Sequence, residues 1–374
     1  MKNYPNDTEL SDKECQKKTN GTIFYPLTPY HLMLSVAIRL DFNKKNNVII
    51  LDSKLFNKDL IFKIKFQDNW SSVVVIESES KLKRVRSLVS LYFTLFKNKK
   101  SKVVYFSPGN SICNFMVNKL ALENEIRLGE DGLAPYQFKD FEQGYKAEIG
   151  ILEKRNRPFP TRIFSQFAKL ARIEIDWKPE NIKEILLTNM ALSQIKECKV
   201  GVRQIATFSE NRVHVLDEVS KYYENLMPTI DAKYDVVFFH SEDIEKDSRS
   251  IDKLKKINEH LRIFHKMRVK RENNTLQTEK ALSLIGDGDY DHSTPWEILY
   301  YKNQISFSNA TLVANYLTTA FMDSFEQSEK ILNRVIIPDN REEIASEKSI
   351  RIHRLFELIK IKCVAGPDLL QRSS

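Results

Sequence analysis

The sequence predicts an α/β protein of two domains, each built on a parallel β-sheet. Its 374 residues exceed what one ordinary core holds, and 42% of them are apolar, which is enough to bury two cores. Short, uninterrupted apolar runs recur along the chain and alternate with segments of helical periodicity. Strands of this kind are buried on both faces, which is typical of a parallel sheet covered by helices on either side.

The first α/β series begins after residues 1–20, a polar stretch that we interpret as a disordered leader because it has no apolar segment of a signal peptide. A strand is predicted at 22–25. The helix that follows has Thr28 as its N-cap and Pro29 at its first position. Further strands are predicted at 48–51, 73–76, 103–106 and 125–128, with helices at 81–100 and 111–122.

A second series follows, with predicted strands at 234–239, 261–264, 305–308 and 334–337 and helices at 251–260 and from 295. Residues 151–200 are rich in lysine, arginine and proline, and we interpret them as a helical connection. Residues 341–374 are expected to form a helical tail. The prediction is therefore two Rossmann-like domains, 21–150 and 201–340, that face a central cleft in which a ligand would bind.

Composition narrows the classes of partner. The net charge of +8 favours an anionic partner, but no nucleic-acid-binding motif is present, so we expect none of that class. The four cysteines are far apart and include no CxxC pair, which argues against a zinc or redox site and fits a reducing, cytoplasmic compartment. No apolar run approaches the roughly 20 residues needed to cross a bilayer. We expect no metal site.

The first candidate site is the triplet Glu130-Asp131-Gly132, directly after a predicted strand. Neighbouring side chains in a turn point in different directions, so one carboxylate can face the cleft as a general base while the other holds the loop. Partial burial would raise the pKa of the base and improve it. The alternative is a plain solvated turn, since Asp-Gly is a common turn pair.

The second candidate is the basic cluster 265–271, which also follows a predicted strand. Lys266 and Arg268 would neutralise the phosphate of a nucleotide leaving group, and His265 would act as a general acid. A solvated basic loop is the alternative.

Two further candidates lie later in the chain. Glu297, in the first turn of a helix, would accept hydrogen bonds from ribose hydroxyls or would only complement the helix dipole. Ser308, Asn309 and Thr311 lie in a predicted strand-to-helix turn, where backbone N–H groups bind phosphate. An ordinary helix cap is the alternative there.

The order of these elements resembles the bacterial sialyltransferases and polysialyltransferases of the GT-B fold, including the lipooligosaccharide sialyltransferases. The resemblance covers residues 22–340 and rests on a Thr28-Pro29-Tyr30 loop, the acidic triplet, the basic motif, a Pro-x-Glu element at Glu297 and a Ser/Thr turn at 308–311. It implies inverting transfer of sialic acid from CMP-sialic acid to a hydroxyl of a surface polysaccharide or lipooligosaccharide, with no required cofactor or metal. It further implies Asp131 as base, Ser308 to Thr311 at the CMP phosphate and Glu297 at the cytidine part.

One departure from that pattern leaves alternatives open. The family has a His-Pro pair after a strand, whereas Arg268 stands in the place of the histidine here, and His265 is offered only by a shift of one turn. Arginine binds phosphate but cannot donate a proton near neutral pH. A GT-B transferase with another nucleotide-sugar donor and a catalytically degenerate glycan-binding protein are the alternatives.

Membrane contact and oligomeric state also stay open at this stage. The amphipathic segments near Lys81 and Arg351 would suit peripheral contact with the inner face of the cytoplasmic membrane, and ordinary core-packed helices are the alternative. A homodimer is compatible with the sequence.

Overall fold

A computed structural model describes two parallel β-sheets with helices around them, which confirms the predicted α/β class with two sheets. The described residues are 21–42, 46–67, 69–77, 79–97, 101–107, 114, 117–118, 120–121, 124–130, 136, 178–188, 200–205, 212–241, 243–267, 289–291, 294–315, 334–336 and 362–363. None of the helices within these ranges is long and apolar enough to cross a membrane.

The first sheet has seven parallel strands in the order β3-β2-β1-β4-β5-β6-β7. Its strands are β1 (Thr22–Tyr25), β2 (Asn47–Asp52), β3 (Ser72–Ile76), β4 (Lys102–Tyr105), β5 (Glu125–Gly129), β6 (Ile182–Leu187) and β7 (Gly201–Gln204). The helices between them are α1 (Pro29–Phe42), α2 (Lys58–Phe66) and α3 (Lys81–Lys97). We call this sheet and its helices the first lobe.

Strands β6 and β7 correct the predicted end of the first domain. The prediction ended that domain at 150 and gave 151–200 to a helical connection, but β6 pairs with β5, and β7 pairs with β6. Lys183 and Glu184 interrupt the apolar run of β6, and β7 is a partly exposed edge strand. Neither strand is therefore marked by an uninterrupted apolar run in the sequence.

The second sheet has six parallel strands in the order β10-β9-β8-β11-β12-β13. Its strands are β8 (Val236–Phe239), β9 (Ile263–Lys266), β10 (Tyr290–Asp291), β11 (Thr311–Ala314), β12 (Arg334–Ile336) and β13 (Lys362–Cys363). With helices α5 (Ile244–Ile257), α6 (Trp296–Lys302) and α7 (Gln304–Phe307), it forms the second lobe. Strand β13 lies inside the stretch that was predicted to be a helical tail.

The predicted strand at 305–308 is wrong, because residues 305–307 lie in α7 and Ser308 is its C-cap. Phe307, at the end of α7, is fully buried and stacks with Tyr234. The alternation of apolar residues and serine over 305–308 is too short to distinguish a strand from a helical turn. The strand begins at Thr311, whose N–H donates to the Asp235 carbonyl at 2.8 Å. The turn therefore leads from a helix into a strand.

A helix that precedes the second sheet, α4 (Arg212–Tyr223), connects the two lobes. On the first lobe, the indole Nε1 of Trp70 donates to Tyr222 Oη at 3.2 Å. On the second lobe, Tyr301 Oη donates to Asp217 Oδ1 at 2.9 Å. Ile298 of α6 lies in the same hydrophobic cluster as the helices of the first lobe. Helix α4 thus packs against the first lobe on one side and against α6 of the second lobe on the other.

Candidate functional site

The loop after β1 directs a tyrosine toward the carboxyl edge of the first sheet. Thr28 Oγ1 accepts a hydrogen bond from the His31 N–H at 3.1 Å, and α1 begins at Pro29, so the predicted N-cap is confirmed. The next residue, Tyr30, is buried, and its hydroxyl donates to Glu130 Oε1 at 2.6 Å. The Thr28-Pro29-Tyr30 loop is thereby tied to the acidic triplet.

Glu130 is a fully buried carboxylate at the end of β5 that accepts four hydrogen bonds. Besides Tyr30, the donors are the hydroxyl of Tyr136 and both the N–H and Oγ1 of Thr188, the last two at 2.8 Å. Burial raises the pKa of Glu130, and the bonds from Thr188 and the two tyrosines oppose that shift. The side chain therefore fastens the ends of β5 and β6 to α1.

This geometry matches the hypothesis that one carboxylate of the triplet holds the loop. Asp131 and Gly132 lie outside the described residues, so the base role of Asp131 and the catalytic role of Glu130 stay predictions. Thr188 and Tyr136 were not found from the sequence, because nothing in the residues around them marks them as partners of a carboxylate 58 and six positions away.

In the second lobe, a carboxylate and two imidazoles form a buried chain. Asp247 Oδ2 lies 3.2 Å from His240 Nδ1, and His240 Nε2 lies 3.0 Å from His265 Nδ1. The Ser241 N–H donates to Asp247 at 2.7 Å, and all three members of the chain are at most 5% exposed. His240 follows β8 and His265 lies in β9, so the chain spans two neighbouring strands at their carboxyl ends.

The buried position of His265 argues against its predicted role as a general acid. Burial, with smaller contributions from His240 and Lys255, lowers the pKa of His265 to about 3. The ring is therefore neutral at physiological pH and has no imidazolium proton to give, which suits a general acid poorly.

Lys266, predicted to bind a nucleotide phosphate, is instead engaged within the protein. Its Nζ lies 3.0 Å from Asp291 Oδ2 and donates to the Met267 carbonyl at 2.8 Å. The ion pair is almost fully buried, and the Thr294 N–H donates to the same carboxylate. Its phosphate role stays a prediction. Asp291 was missed, since its surroundings in sequence look like an acidic loop.

Glu297 brings the second lobe close to the first. It lies in the first turn of α6, and burial raises its pKa from an ordinary 4.5 to about 7, against the opposing effect of the Lys266 charge. Burial and the charge of Glu130, with a smaller effect of Glu297, raise the pKa of Tyr30. After burial itself, Glu297 and Asp291 contribute most to raising the pKa of Tyr223 on α4. Tyr30, Tyr223 and Ile298, the residue after Glu297, also belong to one hydrophobic cluster.

The hydroxyl of Tyr223, near these acidic groups, makes no hydrogen bond with any residue that the structure describes. The side chain is fully buried, and no residue in the described ranges offers its Oη a hydrogen-bond partner. A buried polar atom of this kind costs about 1–3 kcal/mol unless a water or a ligand pairs with it.

The structure separates the remaining candidates from this group. Ser308, Asn309 and Thr311 lie at the amino edge of the second sheet, opposite to the edge that bears Lys266, so the predicted phosphate-binding helix start is absent at this turn. Arg268 lies outside the described residues. Among the residues that the structure describes, no group of histidine, cysteine and acidic side chains could hold a metal ion.

Replacing Glu297 with glutamine is expected to stabilise the protein at pH 8 by about 3 kcal/mol, and by about 1 kcal/mol or less at pH 5. The folded-state pKa of about 7 exceeds the ordinary 4.5. The contribution of the carboxyl to stability is therefore fully present below pH 4.5 and is lost as the pH rises through 7. Urea unfolding at the two pH values measures the difference.

The same change at exposed Glu245 controls for the loss of a surface charge in the second lobe. Equal effects of Glu297→Gln at pH 5 and pH 8 would show that this carboxyl does not titrate as its burial requires.

The fold and the site define an α/β protein with buried acid and base groups between two parallel sheets. No model of a known protein family matches the sequence, and no curated protein matches it. Three solved structures show how far its similarity to known folds extends. The UDP-GlcNAc 2-epimerase from Neisseria meningitidis bound to UDP-GlcNAc is 12% identical, with a TM-score of 0.45 and coverage of 91% of either chain.

A sialyltransferase from Photobacterium damsela is 9% identical, with a TM-score of 0.44 over 92% of this chain and 81% of that one. MurG from Acinetobacter baumannii is 10% identical, with a TM-score of 0.40 over 95% of this chain and 89% of that one. All three are distantly similar to this chain.

Proposed function

We propose that this protein is a glycosyltransferase of the GT-B type that takes its sugar from a nucleotide donor, and that the donor is CMP-sialic acid. One observation supports the proposal above the others. Buried ionisable groups of both lobes, Glu130 with Tyr30 and Glu297 with Lys266, lie on the carboxyl side of the two sheets, and Tyr30 and Ile298, next to Glu297, belong to one hydrophobic cluster. Ligands of parallel α/β sheets bind at that edge.

The reaction needs a base for the acceptor hydroxyl and a positive charge for the departing phosphate. We assign the first to Asp131, which follows the residue that fixes the loop to β6 and α1. The proton of the acceptor hydroxyl passes to its carboxylate as the oxygen attacks the anomeric carbon and the bond to the phosphate breaks. We assign the charge to Arg268, because Lys266 is paired with Asp291.

A phosphate leaving group needs little help from a proton once its charge is neutralised. The neutral state of His265 and the arginine at position 268 are therefore compatible with transfer from a nucleoside monophosphate sugar. The donor proposed here has a phosphate and a sugar carboxylate, and the net charge of +8 favours such an anion. Glu297 and Tyr223 would then face the nucleoside, whose hydroxyls complement a carboxylate and an unpaired phenol.

The second candidate function is glycan binding without transfer. It is favoured by one observation, that neither Arg268 nor the low-pKa His265 supplies the acid that the predicted motif calls for. Such a protein would keep the buried network of Glu130 but would turn over no donor.

Calorimetric titration of the full chain with CMP, UDP and GDP tests the proposal. We expect CMP to bind at least tenfold more tightly than either competitor, and Arg268→Ala to weaken CMP by about 10–100-fold, as the loss of a charge-assisted phosphate contact implies. Arg249→Ala, an exposed arginine of α5, is the matched control.

Each outcome has a distinct meaning. Binding of UDP or GDP alone would replace the donor but keep the class of enzyme, and binding of none of the three would contradict a nucleotide-sugar transferase. Incubation with CMP-sialic acid and a panel of glycan acceptors, followed by mass spectrometry, then separates transfer from binding: a mass increase on one acceptor is expected, and none on any would favour the glycan-binding candidate.

A further inference from the structure

The order of strands in the second sheet marks one place on its carboxyl edge. The chain passes from β8 to β9 on one side of β8, and β11 later pairs with the other side of β8. The direction of strand addition therefore reverses between β8 and β11. Ligands of open parallel sheets bind outside the carboxyl ends of the strands at such a reversal. We call the carboxyl ends of β8 and β11 the switch point of the second lobe.

A buried carboxylate, that of Asp247 in the first turn of α5, joins the two strand ends at the switch point. Its Oδ2 accepts the Ser241 N–H at 2.7 Å, and its Oδ1 accepts the Ser241 hydroxyl and the Asn315 side-chain amide, both at 2.9 Å. Ser241 is the second residue after β8, and Asn315 directly follows β11. One carboxylate therefore holds the residues after both strands against the start of α5.

The side chain of Asn315 is held from its other side as well. Ser250, three residues after Asp247 on α5, donates through its hydroxyl to Asn315 Oδ1 at 2.8 Å. Both polar atoms of the Asn315 amide are therefore used, which fixes its orientation. Ser250 and Asn315 are almost fully buried, as Asp247 is. A buried charge stabilises a fold less than well-packed apolar residues do, so stability alone is a weak reason for a carboxylate here.

We propose that Asp247 is a positioning residue of the nucleotide site, which fixes the ends of β8 and β11 against which the nucleotide binds. The inference rests on the proposed function, in which the second lobe holds the nucleotide. Strand β9, which pairs with β8, ends at Lys266 on the same edge, two residues before Arg268. Because polar contacts depend steeply on distance, a small displacement of the two strand ends weakens them. A purely structural role would be to complement the dipole at the start of α5.

Calorimetric titration of the full chain and of Asp247→Asn with CMP, UDP and GDP tests the proposal, at a temperature at which circular dichroism shows both proteins folded. The substitution keeps the shape of the side chain but places a donor where one oxygen accepts. We expect it to weaken the nucleotide that the unaltered protein binds by about tenfold. Asp252→Asn, at an exposed aspartate of the same helix, is the matched control and should leave the affinity unaltered.

An exchange variant separates positioning from charge and stability. In Asp247→Asn/Asn315→Asp, the amide at position 247 can donate to the carboxylate at position 315, which can still accept from Ser250. The tie between α5 and the end of β11 is then made with its donor and acceptor reversed. We expect the affinity to return to within about threefold of that of the unaltered protein, because the two changes compensate each other.

The outcomes distinguish this inference from the proposed function. Equal nucleotide affinity of Asp247→Asn and the unaltered protein would overturn the positioning role and leave the proposed function standing, and so would an exchange variant that binds no better than Asp247→Asn. Binding of no nucleotide by the unaltered protein would contradict both. If Asp247→Asn does not fold, Asn315→Ala takes its place, since it removes one donor and leaves those of Ser241, and an unaltered affinity there would equally overturn the inference.

Discussion

Replacing Glu130 with alanine is expected to lower the free energy of unfolding by about 3–5 kcal/mol, as removal of one member of a buried charged network does. The carboxylate accepts from Tyr30, Tyr136 and both donors of Thr188, and it is fully buried. Its loss leaves four donors at the junction of α1, β5 and β6 without their acceptor. Urea unfolding followed by circular dichroism measures the effect.

Two further variants make this expectation specific. Glu130→Gln keeps the volume of the side chain but replaces one acceptor oxygen with a donor. Its free energy of unfolding should therefore lie between those of the unaltered protein and the alanine variant. Glu79→Ala removes a carboxylate of the same lobe that pairs with Lys58 and Lys83 on the surface, and it should change stability little. A Glu130→Ala variant as stable as Glu79→Ala would show that the network does not hold this junction.

The fold was largely predictable because most of its strands are uninterrupted apolar runs. The runs that begin near Ile23, Val48, Val103 and Val236 are all strands of parallel sheets. The errors have one physical cause, which is that local pattern does not report tertiary burial. Lys183 and Glu184 interrupt the apolar pattern of β6, so it is not recognised as a strand. Residues 305–308 alternate as a strand does, although 305–307 form a helix.

The candidate site was predictable only in part. Residues at the ends of strands could be found, because topology alone places Glu130, directly after β5, and His265 and Lys266, the last residues of β9, at the carboxyl edge. Their partners could not, since Thr188 and Asp291 reach them by tertiary contacts across gaps of 58 and 25 residues. Surroundings decide the chemistry: Asp291 pairs with Lys266, and burial keeps His265 uncharged, with smaller contributions from His240 and Lys255.

Replacing the adjacent carboxylates Glu130 and Asp131 should therefore have different effects, on stability for the first and on the rate of transfer for the second. If the proposed transfer of sialic acid uses Asp131 as its base, Asp131→Asn is expected to lower its rate by about 10²–10⁴-fold, which is the contribution of a positioned general base. The affinity for CMP should not change, because the base contacts the acceptor and not the nucleotide. The free energy of unfolding should also stay within error, in contrast to Glu130→Ala, whose donors are all internal.

Asp59→Asn, an exposed aspartate in the first turn of α2, is the control for a lost carboxylate of the first lobe. It should leave transfer, CMP affinity and stability unaltered. Turnover by Asp131→Asn at the rate of the unaltered protein would rule out Asp131 as the base. A variant that instead lost stability as Glu130→Ala does would place Asp131 within the buried network, and the proton of the acceptor hydroxyl would need another destination.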